Sequence, residues 1–227
     1  MHKINREYEH LINNLERISL KNSIFDSEPG QKAFLSLGQG CHLEWLKTML
    51  PDTRLIIEPE IDGYDIALSY NEGKLIQAIN AKSNDISKKL KLISNIPPYI
   101  PIKREIQIRG TIYTRLKLTN NLIKKRFNNK EKIYHGQKQN FCAFQIINCN
   151  LNHFQSLQEL KKLGFEIPQT QFTHYTTDIE IYLQLWRGGR LFENYPTNGI
   201  ILKINSKKLQ KYLGQNNVSI NWAYAIK

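Results

Sequence analysis

The sequence has little cysteine, no long apolar run and too few acidic residues to balance its basic ones. Its three cysteines, Cys41, Cys142 and Cys149, are scattered without a CxxC pair, which argues against a zinc ribbon or a disulfide framework. No run approaches the ~20 apolar residues of a transmembrane helix, and the N-terminus lacks the pattern of a signal peptide. We therefore expect a cytoplasmic protein with no membrane contact.

Basic residues outnumber acidic ones by 32 to 20, so the formal net charge is +12 at pH 7. Proteins this basic often contact nucleic acid, because lysine and arginine neutralise phosphates. General enrichment in lysine, asparagine and isoleucine explains part of the excess, and a solvated face is the alternative reading of any one basic run. The candidate DNA contacts are Lys124, Lys125, Arg126, Lys130 and Lys132.

The spacing of apolar residues changes along the chain from helical to strand-like. It predicts helices over 3–17, 41–50, 115–126, 154–163, 175–186 and 206–212. Alternating runs predict strands at 54–59, 64–70, 74–79, 105–113, 141–147 and 199–204. The polar stretch 127–140 is predicted to be a loop, and Asn71-Glu72-Gly73 a hairpin turn. Mixed strands and helices with hairpins indicate an α+β fold built on antiparallel sheets.

Five segments, in order, resemble the adenylation domain of NAD-dependent DNA ligases. EPEIDG at 58–63 resembles that family's E-P-K-x-D-G, and IQIRGTIY at 106–113 resembles its strand ending in R-G-E. FCAFQII at 141–147, YPTNGIILKIN at 195–205 and WAYAIK at 222–227 resemble three further motifs. The resemblance runs from about residue 54 to residue 227 and would be hard to produce by chance.

The resemblance implies an antiparallel-sheet nucleotidyltransferase core of the ligase adenylation, ATP-grasp-like type, flanked by helices, with a nucleotide pocket between sheets. We expect residues 1–45 to form a helical N-terminal extension and residues 46–227 to form the ligase-like domain. The first segment lacks the family's tyrosine- and aspartate-rich nicotinamide-binding pattern. The OB-fold, zinc, helix-hairpin-helix and BRCT modules are also not recognisable, so we expect a stand-alone domain.

Three positions depart from the family pattern where its chemistry is performed. Glu60 stands where the family has the lysine that attacks the α-phosphorus of NAD. Thr111 replaces the glutamate that contacts the ribose, and Asn198 replaces an acidic residue near the catalytic metal. We therefore expect no catalytic residue, no metal site and no cofactor.

Other positions keep the residue that the resemblance places in the nucleotide pocket. Glu58 matches the residue beside the adenine, Asp62 and Gly63 keep the turn, and Phe144 matches an aromatic that could stack on a purine. Lys203 and Lys227 match lysines that neutralise the phosphate. The structural alternative is that Gly63 serves strand geometry and Phe144 is core. Residual binding of AMP or NAD stays open but is not expected.

Three hypotheses about the function follow from these observations. The favoured one is a catalytically inactive, stand-alone ligase-like domain that binds DNA weakly and without sequence preference, or binds a protein of a DNA-handling complex. The second is an enzyme with altered nucleotidyl-transfer or hydrolytic chemistry in the same pocket, using Glu60 and Asp62. The third is a scaffolding remnant. The shape and charge of the pocket separate them.

Overall fold

The computed structural model describes residues 36–38, 53–115, 138–174, 176–215 and 219–227. Its strands in these ranges are β1 Ser36–Gly38, β2 Leu55–Ile61, β3 Tyr64–Asn71, β4 Lys74–Asn80, β5 Ile106–Thr114, β6 Gln139–Ile146, β7 Gln171–Thr173, β8 Thr197–Ile204 and β9 Ser219–Ile226. Its helices are a 3₁₀ helix at Ser87–Leu92, α1 His153–Lys162, α2 Thr176–Arg187 and α3 Lys207–Leu213. None of these helices is long and apolar enough to cross a membrane.

The strands form two sheets. The first has the order β1-β9-β8-β2-β7 and the second the order β4-β3-β5-β6. All pairs are antiparallel except β1 with β9, which is parallel. The chain passes from the first sheet to the second between β2 and β3, so the segment that joins these two strands lies where the sheets meet.

Each sheet has its own apolar core. The core of the second sheet includes Ile66, Leu68 and Ile108, and Leu157 and Leu160 of α1 pack against it. The core of the first sheet includes Ile57 and Leu202 together with Ile179, Leu183 and Trp186 of α2. β2 is buried on both of its faces over Leu55–Pro59, which is why its apolar residues read as a continuous run instead of an alternation.

The turn between β2 and β3 needs a glycine for steric reasons. A Cβ at Gly63 would lie 2.2 Å from the carbonyl oxygen of Ile112 on β5. The backbone N–H of Asp62 donates to the carbonyl of Pro196, just before β8, at 2.7 Å. These contacts hold the crossing close to β5 on one side and to β8 on the other.

The structure confirms the α+β fold and the six predicted strands, each within two residues of its predicted bounds. It also confirms the helices predicted at 154–163, 175–186 and 206–212 to within one residue. β1, β7, β9 and the 3₁₀ helix were not predicted. The end of the predicted loop at 127–140 was wrong, because residues 139 and 140 pair with β5 as the start of β6.

Several predictions fall on residues that the structure does not describe. The helices at 3–17 and 41–50 lie there, as does all of the helix at 115–126 except Arg115, which is not helical. β1 lies within the segment predicted as a helical extension and pairs with β9. The division at residue 45 falls in an undescribed stretch and stays a prediction.

Candidate functional site

A cavity of about 320 Å³ opens at the point where the chain passes from the first sheet to the second, between β2 and β3. Strands of both sheets line it, and the N-terminus of α1 contributes His153. Its walls carry most of the predicted site residues, namely Glu58, Glu60, Asp62, Gly63, Thr111, Phe144, Asn198 and Lys203. The volume lies in the range of small-molecule pockets, roughly 300–1,000 Å³. The fold therefore brings together residues that are up to 145 positions apart in the sequence.

Glu58 is fully engaged in a buried ion pair. Its Oε2 accepts a hydrogen bond from the Lys203 ammonium at 2.7 Å, and its Oε1 lies 2.5 Å from Nε2 of His153. All three side chains are buried. Lys203 is thus paired with a residue of its own chain, although the resemblance implied that it neutralises a phosphate.

The charge states follow from the balance between burial and pairing. Burial alone would raise the pKa of Glu58, but the charges and hydrogen bonds of Lys203 and His153 outweigh it and lower this pKa from 4.5 to about 2. Burial lowers the pKa of His153. At neutral pH Glu58 is therefore a carboxylate, and the lowered pKa of His153 favours a neutral imidazole whose Nε2 faces that carboxylate.

Glu60 lies two residues further along β2 and has a different environment. Its backbone partner across the ladder is Gly199 of β8, and a Cβ at that glycine would lie 2.6 Å from Oε2 of Glu60. This oxygen is buried and accepts no hydrogen bond from any residue in the described ranges. Burial is the main cause that raises the pKa of Glu60; the charge of Lys227 opposes this shift, and that of Asp62 adds to it.

The opposite wall of the cavity has a second paired carboxylate. Asp65 of β3 accepts a hydrogen bond from the Thr111 hydroxyl at 2.7 Å and lies 3.7 Å from the Arg109 guanidinium. Arg109 and Lys203 both lie near the ring of Phe144, at 5.3 and 5.1 Å from its centroid. Phe144 is half-buried and lines the cavity.

The remaining predicted residues lie at the rim or outside the cavity. Asp62, Gly63 and Asn198 are exposed at its edge. Lys227 is exposed and is not among the residues that line the cavity, although its charge acts on Glu60. The candidate DNA contacts in 124–132 lie outside the described residues. In the part of the chain that is described, no group of three or more histidine, cysteine, aspartate or glutamate side chains could hold a metal ion.

Sequence reasoning missed His153, Arg109 and Asp65. Asp65 and Arg109 sit within predicted strands, and Arg109 belongs to a quoted motif, but nothing in the pattern said that the two would meet. The only local signal that concerns His153 is the capping box of Asn152 and Gln155, which places His153 at the start of α1. Its contact with Glu58 spans 95 residues and no local pattern announces it.

Comparison with known proteins supports the resemblance in sequence. The family model of the NAD-dependent DNA ligase adenylation domain matches residues 42–146. The DNA ligase of Anoxybacillus flavithermus is 26% identical over 78% of this chain and 30% of its own length. The DNA ligase of Borreliella afzelii is 27% identical over 85% of this chain and 34% of its own length. The chain thus spans about a third of the length of the curated relatives it matches.

Solved structures give matches of low sequence identity. An archaeal ATP-dependent RNA ligase is matched over 72% of this chain and 42% of that chain, with 12% identity and a TM-score of 0.49. The ATP-dependent DNA ligase of bacteriophage T7 in complex with ATP is matched over 76% and 62%, with 13% identity and a TM-score of 0.43. The sequence matches, over residues 42–146 and over most of the chain, relate this protein to the adenylation domain of NAD-dependent DNA ligases.

Proposed function

We propose that this protein is a cytoplasmic, catalytically inactive ligase-like adenylation domain that acts by binding DNA. The observation that supports the loss of catalysis is the environment of the two β2 glutamates in the cavity. Glu60 stands where the resemblance implies the nucleophile, and one of its oxygens is buried with no donor among the described residues, while Glu58 binds the neighbouring Lys203 ammonium at 2.7 Å. A carboxylate carries no amine with which to form a phosphoramidate, and its negative charge repels a phosphate.

Binding to DNA is supported by charge and by relationship. The net charge of the chain is +12, and the relatives that it matches are DNA ligases. Exposed basic pairs occur at Lys88–Lys89 and at Lys103–Arg104. Lysine and arginine contacts to phosphates supply affinity without sequence preference. We expect a Kd on the order of 10⁻⁴–10⁻⁶ M at physiological salt, as for nonspecific complexes.

Two measurements test the two halves of the proposal. Intact mass spectrometry after incubation with NAD or ATP and Mg²⁺ should show no adduct, and a mass gain of one adenylate would contradict inactivity. Fluorescence anisotropy with a duplex, titrated at several salt concentrations, should give a log–log slope of roughly −3 to −4.5 if ~3–5 phosphates are neutralised. No binding at low salt would contradict the proposal that the protein binds DNA and would favour a protein partner instead.

A matched pair of triple variants locates the contacts. Replacing Lys124, Lys125 and Arg126 with alanine removes three positive charges from one predicted contact run. Replacing Lys161, Lys162 and Lys208 removes the same charge from exposed positions on α1 and α3. Each lost phosphate contact should reduce the salt slope by ~0.9. We expect the first variant to reduce the slope more than the second; equal effects would point to diffuse charge without a defined face.

A further inference from the structure

The positive charge of the chain is concentrated in two segments that contain no acidic residue. The sequence has no aspartate or glutamate from residue 132 to residue 158, or from residue 194 to residue 227. The first segment includes the loop before α1 and the start of that helix, and the second includes all of α3. Lys207, Lys208 and Lys211 lie on α3. No carboxylate of either segment therefore offsets these three lysines.

α3 has one face against the core and one face towards solvent. Leu209 packs against the core of the first sheet. Lys207 and Lys211 lie one turn apart, and Lys208 and Tyr212 lie one turn apart beside them, so these four side chains form one strip of the helix surface. Lys208, Lys211 and Tyr212 are exposed and Lys207 is half-buried. The strip thus combines three cations with an aromatic ring that is 54% exposed.

Two asparagines fix α3 to the start of α1. The side chain of Asn152, just before α1, accepts a hydrogen bond from the backbone N–H of Lys207 at 2.9 Å. The side chain of Asn205, just before the first turn of α3, accepts one from the backbone N–H of Phe154 at 3.0 Å. Each asparagine thus caps the helix that the other one precedes. A ligand on α3 would meet a preorganised surface and would not have to order it.

The lysines of this strip are close enough to act on each other. Burial lowers the pKa of Lys207, and the positive charge of Lys211 lowers it further. The Lys211 ammonium donates to the amide oxygen of Asn150 at 2.9 Å, a neutral acceptor that does not cancel its charge. An anion placed beside the two ammonium groups would relieve their repulsion. The phosphates of a nucleic-acid strand are anions of this kind.

We propose that Lys207, Lys208, Lys211 and Tyr212 form a contact site for single-stranded DNA, in which the lysines bind phosphates and the Tyr212 ring stacks on a base. The inference rests on the proposed DNA binding and gives it a place and a strand preference. An exposed ring between cations favours a single strand, because unpaired bases can leave their own stack and pack on it. Seven helical residues span about 10 Å. We therefore expect ~2–3 phosphate contacts and a log–log salt slope of roughly −1.4 to −2.1 from this site.

Three labelled probes of equal length, measured by fluorescence anisotropy at low salt, test the inference. They are an oligo-dT strand of about 12 nucleotides, within the range of single-strand site sizes, an abasic strand with the same number of phosphates, and a duplex. We expect oligo-dT to bind at least about fivefold more tightly than the abasic strand, because only oligo-dT has bases to stack. Duplex binding without this preference would overturn the inference and leave the proposed function intact, whereas no binding of any probe would contradict both.

Tyrosine variants test the stacking. Tyr212→Leu removes the ring and keeps an apolar side chain, so it should lower the affinity for oligo-dT to that for the abasic strand. Tyr212→Phe keeps the ring and should retain the preference. Tyr99→Leu is the matched control, because Tyr99 is 67% exposed in the connection between β4 and β5, and it should change neither affinity. A Tyr212→Leu protein that still prefers oligo-dT would overturn the inference.

Two triple variants test the phosphate contacts. The first replaces the three lysines of α3 with alanine and should reduce the salt slope for oligo-dT by roughly 1.4–2.1. The second replaces three exposed lysines of the connection between β4 and β5, Lys82, Lys88 and Lys89. It removes the same charge and should reduce the slope by less than ~0.7, the value of one contact. Thermal melts of all variants verify folding. Equal reductions in the two triple variants would overturn the assignment to α3.

Discussion

Two glutamates of β2 share one face of one strand and differ in almost every physical respect. Glu58 is buried, bonded to Lys203 and His153, and its pKa is lowered to about 2. Glu60 has a buried oxygen to which no group in the described part of the chain donates, and its pKa is raised. The strand supplies the same side chain and the same orientation to both, since alternate residues point to the same side. What differs is the set of residues that β8 places next to each glutamate.

The register of β2 with β8 explains the difference. Glu58 lies opposite Ile201, so its diagonal neighbour on the same face is Lys203, within reach of a long side chain. Glu60 lies opposite Gly199, which has no side chain to offer. The β2–β8 ladder thus builds a neutral ion pair at one end of the cavity wall and leaves an unpaired carboxylate at the other. The following predictions test whether this contrast is energetic as well as geometric.

The largest effect should come from breaking the paired end. Lys203→Met removes the cation from a buried ion pair and leaves Glu58 as a buried charge with only the imidazole as donor. Such changes typically cost about 3–5 kcal/mol. We therefore expect a loss of this size in the free energy of unfolding, measured by urea denaturation at pH 7.

A double variant and a pH series complete this test. Glu58→Gln with Lys203→Met removes both charges and keeps an acceptor for His153, so it should recover much of the lost stability. Because the pKa of Glu58 falls from 4.5 to about 2 on folding, its stabilising contribution is full above pH 4.5 and is lost as the pH falls towards 2. The deficit of Lys203→Met should shrink over the same window. A double variant as unstable as the single one would show that the unpaired charge of Glu58 is not the cause of the stability loss in Lys203→Met.

How far the sequence predicts this site depends on which contacts are local. Strands and helices follow from periodicity, and the turn at Asp62–Gly63 from glycine chemistry, so the residues on β2 could be named in advance. The roles of Glu58 and Lys203 could not, because their pairing depends on the register of β2 with β8, which no local pattern encodes. His153 was missed for the same reason. Lys227, expected in the pocket, lies outside its lining.

A smaller effect should come from the second paired carboxylate. Thr111→Val keeps the shape of a buried side chain and removes the hydroxyl that donates to Asp65 at 2.7 Å. A hydrogen bond to a charged acceptor contributes roughly 1.5–3 kcal/mol, and the half-exposed Asp65 side chain places the loss at the lower end. Thr111→Ser, which keeps the hydroxyl, is the control. If both variants lose the same stability by urea denaturation, packing of the methyl group and not the hydrogen bond is responsible.

At Glu60, in contrast to the paired carboxylates, we expect a substitution to stabilise the protein. Glu60→Gln removes a partly buried charge that burial disfavours and that Lys227 only partly offsets, so we expect the variant to be more stable at pH 7, by less than the roughly 1–3 kcal/mol that a fully buried unsatisfied group costs. The folded pKa of Glu60 is raised above 4.5, so its ionisation costs stability as the pH rises through this range. The gain should therefore fade below pH 4.5 in thermal melts across pH. A destabilised Glu60→Gln would mean that Glu60 has a partner after all.

The smallest expected effect is none at all. Glu60→Lys brings an amine to the position where the resemblance implies a nucleophilic lysine, yet we expect no adenylate on the protein after incubation with NAD or ATP and Mg²⁺. The Lys203 ammonium stays bound to Glu58 at 2.7 Å, the Thr111 hydroxyl stays bound to Asp65 at 2.7 Å, and Asn198 brings no charge to attract a metal. Groups that act as a unit in catalysis are strongly non-additive, so restoring one of them recovers little of the rate. Intact mass spectrometry and radiolabel transfer from NAD measure the outcome, with Glu60→Gln as the control that cannot form the adduct. A single adenylate on the Glu60→Lys protein would show that the cavity still admits a nucleotide and that Glu60 alone had silenced it.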